Sequence, residues 1–305
     1  MEISTKKGLW TGGFLAVALL CTLQAIAGEA PTPVKPDAQT IRPSFKKVFI
    51  VVYENVEAED ALEQPYFQKL LEKGAYLDNF FALKRGSLPN YVAMVSGDLY
   101  GVDGDSADLN VKTIVDLLEE KGMTWKSYSE DYPGNCFAGA DTKDRGTRYA
   151  RKHQPFINFK TIRENPNRCK LIVPATELSK DIENDTVPTF SLYIPNTLHN
   201  GHDHGVKDAN EWLEKTFAPL IEPKDSKLMK DMLFVVTFDE GRKGKSKSAK
   251  NHIYTLLYGD SVTAGKVSTK RYDFYNLLKT IEVGLGLGTL TKNDAKAEPI
   301  TEVWR

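Results

Sequence analysis

The stretch KVFIVVYEN, residues 47–55, decides the fold class of this 305-residue chain. It is an uninterrupted run of apolar and β-branched side chains that ends at Glu54 and Asn55. A run without polar alternation is typical of a central strand buried on both faces of a sheet. Outward from it, predicted strands and helices alternate along the chain. They include the strands YLDNFFAL (76–83) and HIYTLLYG (252–259) and the helix YDFYNLLKTIEVGLGL (272–287). This order predicts an α/β fold with a doubly wound, mostly parallel sheet and helices on both faces.

Polar clusters follow several of the predicted strands at the point where each strand ends. The clusters are Glu54-Asn55, Ser87, residues 196–204 and Asp239-Glu240. Ligands of open α/β sheets bind at the carboxyl ends of the parallel strands, so these side chains are expected to share one site. Strand ends carry polar residues in most proteins, however, and the pattern by itself indicates a place and not a chemistry.

The first residues have the features of an export signal. A basic segment with Lys6 and Lys7 precedes an apolar run over residues 14–20, and the small residues around Ala27 are typical of a cleavage site. We therefore expect a signal peptide over residues 1–27 and a periplasmic or secreted protein. The apolar run is too short to span a membrane, so no stable membrane anchor is expected. A lipid anchor at Cys21 is the alternative, which the large Leu20 before it disfavours.

The remaining chain is expected to hold one domain. Residues 28–44 are rich in proline and poor in large apolar side chains, which predicts a flexible leader before a single domain over residues 45–305. Cys136 and Cys169 remain after signal removal, and in an oxidising compartment they are expected to form a disulfide, with two free thiols as the alternative. The net charge is −1, with Lys and Arg scattered, so no nucleic-acid partner is expected.

Acidic residues at two strand ends suggest a metal site. The sequences YEN at residues 53–55 and FDEG at residues 238–241 each follow a hydrophobic strand. If carboxylates and an amide oxygen meet there, they repel one another unless a cation lies between them. A hard or borderline divalent ion is the simplest solution. The alternative is a pair of solvated surface carboxylates.

Ser87 lies where an anion would bind. It stands in Gly86-Ser87-Leu88-Pro89, just before a helix whose first turn contains proline. The free backbone N–H groups and the dipole of such a helix start favour a phosphate. The alternative is a serine that only caps the helix. The motif G-x-S-x-G is absent around Ser87, so an α/β-hydrolase nucleophile elbow is not indicated.

Seven motifs in this chain, taken in order, resemble one family. They are VYEN (52–55), SLPNY with a later SGD (87–91, 96–98), YSED (128–131), YARKHQPF (149–156), PN followed by HD (195–196, 202–203), DEG (239–241) and Y-x-L-L-x-T-I-E (275–282). The pattern resembles the phosphoesterase family of acid phosphatases and bacterial phospholipase-C-like enzymes, which is related to alkaline phosphatases and nucleotide pyrophosphatases. The resemblance covers almost all of the chain that remains after the expected signal peptide, and it implies an alkaline-phosphatase-like fold.

The resemblance also implies roles for individual residues. The implied metal ligands are Glu54, Asn55, Asp239 and Glu240. Ser87 corresponds to the nucleophile, with His153 and His202 as further catalytic groups and Asn90 and Asp203 as substrate-binding groups. The implied cofactor is at least one divalent ion, with Mg, Ca, Mn and Zn all open.

The implied reaction is hydrolysis of a small phosphomonoester through a phosphoserine. A metal ion beside a serine hydroxyl lowers its pKa, and water then hydrolyses the phosphorylated serine. Cleavage of phosphodiesters or phospholipids is an alternative, since the same groups serve both reactions. A non-catalytic protein that binds phosphate or a partner on this fold is a second alternative. The sequence leaves the oligomeric state open.

The chain also departs from the family pattern. Asn200 stands where many members have aspartate, which weakens any second metal position. His252 follows Asn251 in place of an arginine and could add a metal ligand, and Phe274 replaces a histidine. The basic stretch 242–250 is expected to be a solvated loop, with steering of anionic substrates as the alternative.

Overall fold

A computed structural model describes residues 43–139, 148–242 and 251–305, which belong to one compact unit. The predicted signal peptide and most of the proline-rich leader lie outside the described residues. So does the basic stretch beyond Arg242. The division of the chain into signal, leader and single domain therefore stays a prediction.

The described strands form one large sheet and one small sheet. In chain order they are β1 (Lys47–Tyr53), β2 (Ala75–Leu77), β3 (Phe80–Phe81), β4 (Trp125–Ser129), β5 (Ile172–Pro174), β6 (Phe190–Ile194), β7 (Met232–Phe238), β8 (Thr255–Tyr258), β9 (Lys266–Ser268) and β10 (Tyr272–Asp273). The large sheet has the order β5-β4-β6-β1-β7-β8-β2-β9, and β10 pairs with β3. Strand β8 pairs antiparallel with both neighbours, and the other pairings are parallel. The predicted mostly parallel sheet is confirmed.

Strand β1 lies at the centre of the sheet, as its sequence predicts. It pairs in parallel with β6 and with β7, with Ile50 opposite Leu192 on one side and Val235 on the other. Every residue from Val48 to Tyr53 is buried, so both faces of the strand are covered. On one face Phe49 packs its ring against Phe217 of a helix. This double burial explains why the run contains no polar residue.

Helices cover the sheet and connect its strands. They are α1 (Ala58–Leu62), α2 (Pro65–Lys73), α3 (Ser87–Ser96), α4 (Ile114–Glu120), α5 (Lys160–Arg163), α6 (Pro166–Cys169), α7 (Glu177–Glu183), α8 (Val206–Ile221), α9 (Phe274–Leu285) and α10 (Lys292–Lys296). Local sequence sets several ends. A capping box between Thr113 and Asp116 begins α4, and Gly286 ends α9 in the left-handed conformation.

Two predicted strands differ from the structure. The stretch 76–83 is divided between β2 and β3, because the chain turns at Asp78 and Asn79. Asp78 N–H donates to the Ser268 carbonyl of β9, whereas the Asn79 carbonyl accepts from the N–H of Tyr272 in β10. The two halves therefore join different sheets. Within the stretch 252–259, only Thr255–Tyr258 form a strand, the antiparallel β8, whose direction hydrophobic periodicity does not encode.

The predicted disulfide is present. Cys136 and Cys169 are bonded, with their Cα atoms 5.1 Å apart, and the bond ties the loop after β4 to α6. The free-thiol alternative is therefore wrong. Within the described ranges, no helix is both long enough and apolar enough to cross a bilayer.

Candidate active site

The two acidic strand ends meet because β1 and β7 are neighbours. Glu54 and Asn55 follow β1, and Asp239 and Glu240 follow β7. The backbone N–H of Asn55 donates to Asp239 Oδ1 at 3.2 Å, which links the two strand ends directly. Asn55 has a φ of +49°, a left-handed conformation that asparagine tolerates better than most residues. The alternative of separate, solvated carboxylates is excluded for Glu54 and Asp239, since both are fully buried.

Ser87 is the first residue of α3 and its side chain points to this acidic group. Its Oγ donates to Glu54 Oε2 at 2.9 Å. The N-cap of α3 is Gly86, whose φ of +110° suits glycine and whose N–H donates to Glu240 Oε2 at 2.8 Å. Ser87 therefore does not serve as a helix cap. Its hydroxyl is held between a carboxylate and the free N–H groups of a helix start.

Among the described residues, the buried acidic group has oxygens without partners, and Asp239 lacks charge compensation. In the described part of the chain, Asp239 Oδ2 has no hydrogen-bond partner, and the same holds for Glu54 Oε1. Burial, followed by the charges of Glu54 and Glu240, raises the pKa of Asp239 well above its usual range. Burial also raises the pKa of Glu240. A buried acidic group of this kind is expected to hold a cation.

The donor set fits a divalent ion. Oxygen atoms of carboxylates, an amide and a hydroxyl suit a hard cation, and unpartnered buried oxygens are available on Glu54 and Asp239. As they stand, however, no three His, Cys, Asp or Glu side chains of the described residues form a preformed metal cluster. A bound ion would therefore need Ser87 or Asn55 as further ligands, or a rotation of Glu240.

His153 lies on the other side of Glu54. Its Nε2 is 3.2 Å from Glu54 Oε1, an ion-pair distance without hydrogen-bond alignment. Burial opposes ionisation of Glu54, but the adjacent His153 ring and the Ser87 hydroxyl bring the pKa of Glu54 below its usual value. Asn200 determines which ring nitrogen of a neutral His153 carries the proton. Its Oδ1 accepts from the His202 N–H at 2.9 Å, so its amide group faces His153 Nδ1 at 3.3 Å as a donor. This pattern places the proton of a neutral His153 on Nε2.

His202 and Asp203 lie at the mouth of the site. His202 lines a cavity of about 530 Å³ together with Ser87 and Glu240, and its Nδ1 is 2.8 Å from Asp203 Oδ1. Asp203 Oδ2 in turn lies 3.8 Å from the Arg148 guanidinium. A larger cavity of about 780 Å³ lies beside the amino end of β7 and contains none of the predicted site residues.

Asn90 supports the loop before Ser87. Its Oδ1 accepts from the N–H groups of Leu83 and Lys84, and its Nδ2 donates to the carbonyls of Lys84 and Gly86. The amide is fully occupied by these four bonds. A direct contact of Asn90 with substrate stays a prediction, and it would require these bonds to be exchanged.

Comparison with known proteins identifies the family. The family model described as "Phosphoesterase family" matches residues 57–288. The chain belongs to the phosphoesterase family. It is 34% identical to a probable acid phosphatase of Kluyveromyces lactis over 83% of this chain and 61% of the relative. It is also 31% identical to an acid phosphatase of Aspergillus fumigatus over 90% of this chain and 63% of the relative. The phosphoesterase chain thus spans less than two thirds of the length of these two fungal proteins.

A third relative is similar to this phosphoesterase over most of both chains. It is a phosphatidylinositol-3-phosphatase of Mycobacterium tuberculosis, 30% identical over 88% of this chain and 85% of the relative.

Solved structures confirm the alkaline-phosphatase-like fold of this phosphoesterase. A protein of the alkaline phosphatase superfamily from Vibrio parahaemolyticus aligns with a TM-score of 0.58, at 16% identity, over 86% of this chain and 72% of that chain. A lipoteichoic acid synthase from Listeria monocytogenes aligns with a TM-score of 0.59, at 12% identity, over 84% and 76%. At such identities the similarity concerns the fold alone.

The structure shows the surroundings of the three residues that depart from the family pattern. Asn200 is buried and bonded as described above. His252 Nε2 contacts the Asp78 carbonyl at 2.8 Å, and its ring packs on Phe81. Phe274 is buried against Phe80 and does not line the cavity. In this arrangement the His252 ring contacts Asp78 and Phe81. A role as metal ligand would require the ring to leave Asp78.

Arg85 was not singled out from the sequence, whereas Arg242 begins the basic stretch 242–250, for which steering of anionic substrates was the alternative. Arg85 and Arg242 line the same cavity as Ser87. The position of Arg85 two residues before the predicted nucleophile was the available signal.

The motif YSED (128–131) belongs to the family pattern, but the sequence indicates no role for it. In the structure Glu130 accepts from Asn196 N–H and Trp212 Nε1 and contacts His199 Nδ1 at 2.7 Å, so it anchors the loop that carries His202.

Proposed function

We propose that this phosphoesterase is an exported, divalent-metal-dependent enzyme that hydrolyses phosphomonoesters through a phosphoserine formed on Ser87. The observation that carries the proposal is the Ser87 hydroxyl, which donates to the buried Glu54 at the start of α3. A serine at a helix start, next to buried carboxylates, suits both attack on a phosphate and the binding of a cation. Two relatives are named acid phosphatases, which supports monoesters as substrates.

The proposed metal ligands are Glu54, Asn55, Asp239 and Glu240, with Ser87 completing the set. When bound there, a divalent ion would lower the pKa of the serine hydroxyl and offset negative charge on the phosphoryl group. The identity and number of ions stay open among Mg, Ca, Mn and Zn.

The chain's own residues supply the remaining steps. Ser87 Oγ attacks phosphorus while its proton passes to Glu54 Oε2, the acceptor of its present hydrogen bond. The bond from phosphorus to the leaving oxygen breaks, and the free N–H groups at the start of α3 stabilise the phosphoryl oxygens. His202, oriented by Asp203, gives a proton to the departing alkoxide.

Hydrolysis of the phosphoserine then reverses these roles. Water loses a proton to His202 and attacks phosphorus, inorganic phosphate departs, and Ser87 Oγ takes back the proton held by Glu54. His153 limits the movement of Glu54 from the side opposite Ser87. Both half-reactions thus use the same acid and base in opposite directions, and the enzyme returns to its starting state.

Export is part of the proposal. The basic segment and apolar run before residue 28 have the pattern of a signal peptide. The Cys136–Cys169 bond is consistent with an oxidising compartment. N-terminal sequencing of protein recovered from the periplasm or medium is expected to begin at residue 28.

A second candidate substrate is a phosphomonoester on a lipid head group. The Mycobacterium tuberculosis relative, whose name gives phosphatidylinositol 3-phosphate as its substrate, matches this chain over 85% of its own length. The chemistry at phosphorus is unchanged. Release of phosphate from dispersed phosphatidylinositol 3-phosphate, compared with release from a small soluble monoester, separates the two.

The decisive experiment measures turnover of p-nitrophenyl phosphate by the purified protein before and after chelation. Ser87→Ala is expected to abolish turnover, whereas Ser179→Ala, which alters an exposed serine of α7, leaves it unchanged. Acid quenching during turnover is expected to trap one phosphoryl group on the peptide that contains Ser87.

Other outcomes select the alternatives. Turnover of bis-p-nitrophenyl phosphate without turnover of the monoester would replace the proposal by a phosphodiesterase. Binding of phosphate without turnover of any ester would indicate a non-catalytic protein on this fold. Chelator-resistant turnover would remove the metal from the mechanism.

A further inference from the structure

Arg85 lies two residues before Ser87 and lines the same cavity. Its backbone is fixed on both sides, because Asn90 Nδ2 donates to the carbonyls of Lys84 and Gly86. Asn251 Nδ2 adds a further bond to the Lys84 carbonyl. The start of the Arg85 side chain is therefore set by the same loop that positions the nucleophile.

The guanidinium of Arg85 is held by two partners. Nη1 donates to the Gly241 carbonyl, directly after Glu240, and Nη2 lies 3.2 Å from Glu57 Oε1. The Glu57 side chain is only 4% exposed, whereas that of Arg85 is 30% exposed. A Cβ on Gly241 would lie 2.3 Å from Glu57 Oε1, so a glycine is needed for the carboxylate to occupy this place. Glu57 thus orients Arg85 without reaching the cavity itself.

Part of the guanidinium is still free to bind. An arginine has five N–H donors, and two of those on Arg85 are used by Gly241 and Glu57. In the described ranges the other three have no protein partner. A planar, oriented group with free donors is well suited to two oxygens of one phosphate.

The carboxylates around Ser87 give the cavity an excess of negative charge, so binding of an anionic substrate there requires protein cations. Glu54, Asp239 and Glu240 together can carry one more negative charge than a single divalent ion offsets. Asp103 and Asp105 line the cavity as well. The permanent cations among the described lining residues are Arg85 and Arg242. A substrate with two negative charges therefore depends on them more than a substrate with one.

We propose that Arg85, oriented by Glu57, binds the non-esterified oxygens of the substrate phosphate and selects phosphomonoester dianions over phosphodiesters. The proposal rests on the proposed function and names its specificity-determining residue. A monoester carries close to two charges at neutral pH and three terminal oxygens, whereas a diester carries one charge and two terminal oxygens. Arg85 can pair with two oxygens of the monoester while a third remains for the helix start.

The experiment compares two esters with the same leaving group, p-nitrophenyl phosphate and methyl p-nitrophenyl phosphate. For Arg85→Gln, kcat/KM for the monoester is expected to fall about 100-fold, and for the diester by no more than about 5-fold. Arg85→Lys keeps the charge but loses the planar fork, and an intermediate loss is expected. The matched control is Arg168→Gln, which alters an arginine paired with Asp116 and Glu119 away from the cavity.

A variant of Glu57 tests whether the orientation of the Arg85 side chain matters. Glu57→Gln is expected to lower monoester kcat/KM about 10-fold. In the double variant Glu57→Gln/Arg85→Gln, the loss is expected to equal that of Arg85→Gln alone, because Glu57 acts through Arg85. Additive losses would contradict this coupling.

A binding measurement separates this inference from the proposed function. Titration of inorganic phosphate into Ser87→Ala, with the divalent ion present, is expected to show binding that weakens about 30-fold or more in Ser87→Ala/Arg85→Gln. Equal losses of kcat/KM for both esters, or unchanged phosphate binding, would overturn the role of Arg85. If the wild-type protein turns over neither ester, the proposed function fails, and the phosphate titration alone decides whether Arg85 binds phosphate.

Discussion

Replacing Glu282 by glutamine is expected to stabilise the protein, and to do so more as the pH rises. Glu282 lies in α9 and is only 1% exposed. In the described part of the chain neither of its carboxyl oxygens accepts a hydrogen bond, and Lys279 Nζ is 3.9 Å away. Burial, followed by the hydrogen bond that protonated Glu282 donates to the Asp294 carboxylate and by the charge of Asp294, raises the pKa of Glu282 to about 9.

The direction in which the free energy of unfolding changes with pH follows from proton binding. Between its usual pKa near 4.5 and about 9, Glu282 is protonated in the folded protein and ionised in the unfolded chain. The folded state binds more protons in this window, so the free energy of unfolding falls as the pH rises. At about 1.4 kcal/mol per pH unit, the cost reaches about 3 kcal/mol at pH 7. Glutamine has nearly the same shape and does not ionise, so it removes this cost.

Denaturant unfolding at pH 5, 7 and 8.5 measures the effect. At pH 5 the variant is expected to match the wild type within about 1 kcal/mol, and at pH 7 to exceed it by about 2 to 3 kcal/mol, or about 5 to 10 °C in Tm. The control is Glu72→Gln, which alters an exposed glutamate of α2. A gain that does not grow with pH, or a loss at every pH, would refute the reasoning.

Three further predictions concern the loops around the site. Asn90→Ala removes four bonds to the loop before Ser87, and we expect circular-dichroism melts to show a loss of about 2 to 4 kcal/mol of stability, with kcat reduced more than 10-fold. Glu130→Gln replaces the charged acceptor that raises the pKa of His199 by a neutral, weaker one, so NMR titration of that ring is expected to show a lower pKa; an unchanged value would mean that Glu130 is not the cause. Cys136→Ser/Cys169→Ser removes the disulfide, and urea unfolding is expected to give a loss of about 2 to 4 kcal/mol, whereas reducing agent should no longer affect this variant.

The fold could be read from the sequence where burial leaves a pattern. The run 47–53 was identified as the central strand because both of its faces are covered and no polar residue interrupts it. Short edge elements leave no such signal. Strands β5 and β9 have three residues each, too few for a period, and the turn at Asp78 is set by pairing with β9 and β10.

The candidate site was predictable in its membership more than in its contacts. The polar strand ends and the resemblance together named Glu54, Ser87 and Asp239 without showing how they touch. The roles of Asn90 and Arg85 could not be derived in the same way. Arg85 bonds to groups far away in the chain, and a sequence does not show which loop a side chain will face. Asn90 bonds to the loop four to seven residues before it, and these contacts depend on how that loop turns.

From the sequence alone it follows that this chain is an α/β protein whose candidate site lies at the ends of its strands. The reason is that double burial and strand-end polarity are local features of the chain. Which groups meet depends on the tertiary structure. It placed Glu54 against Asp239 because β1 and β7 are neighbours, and it set Arg85 against Glu57 through the close approach of Gly241. Those contacts join residues far apart in the chain, so no local pattern encodes them.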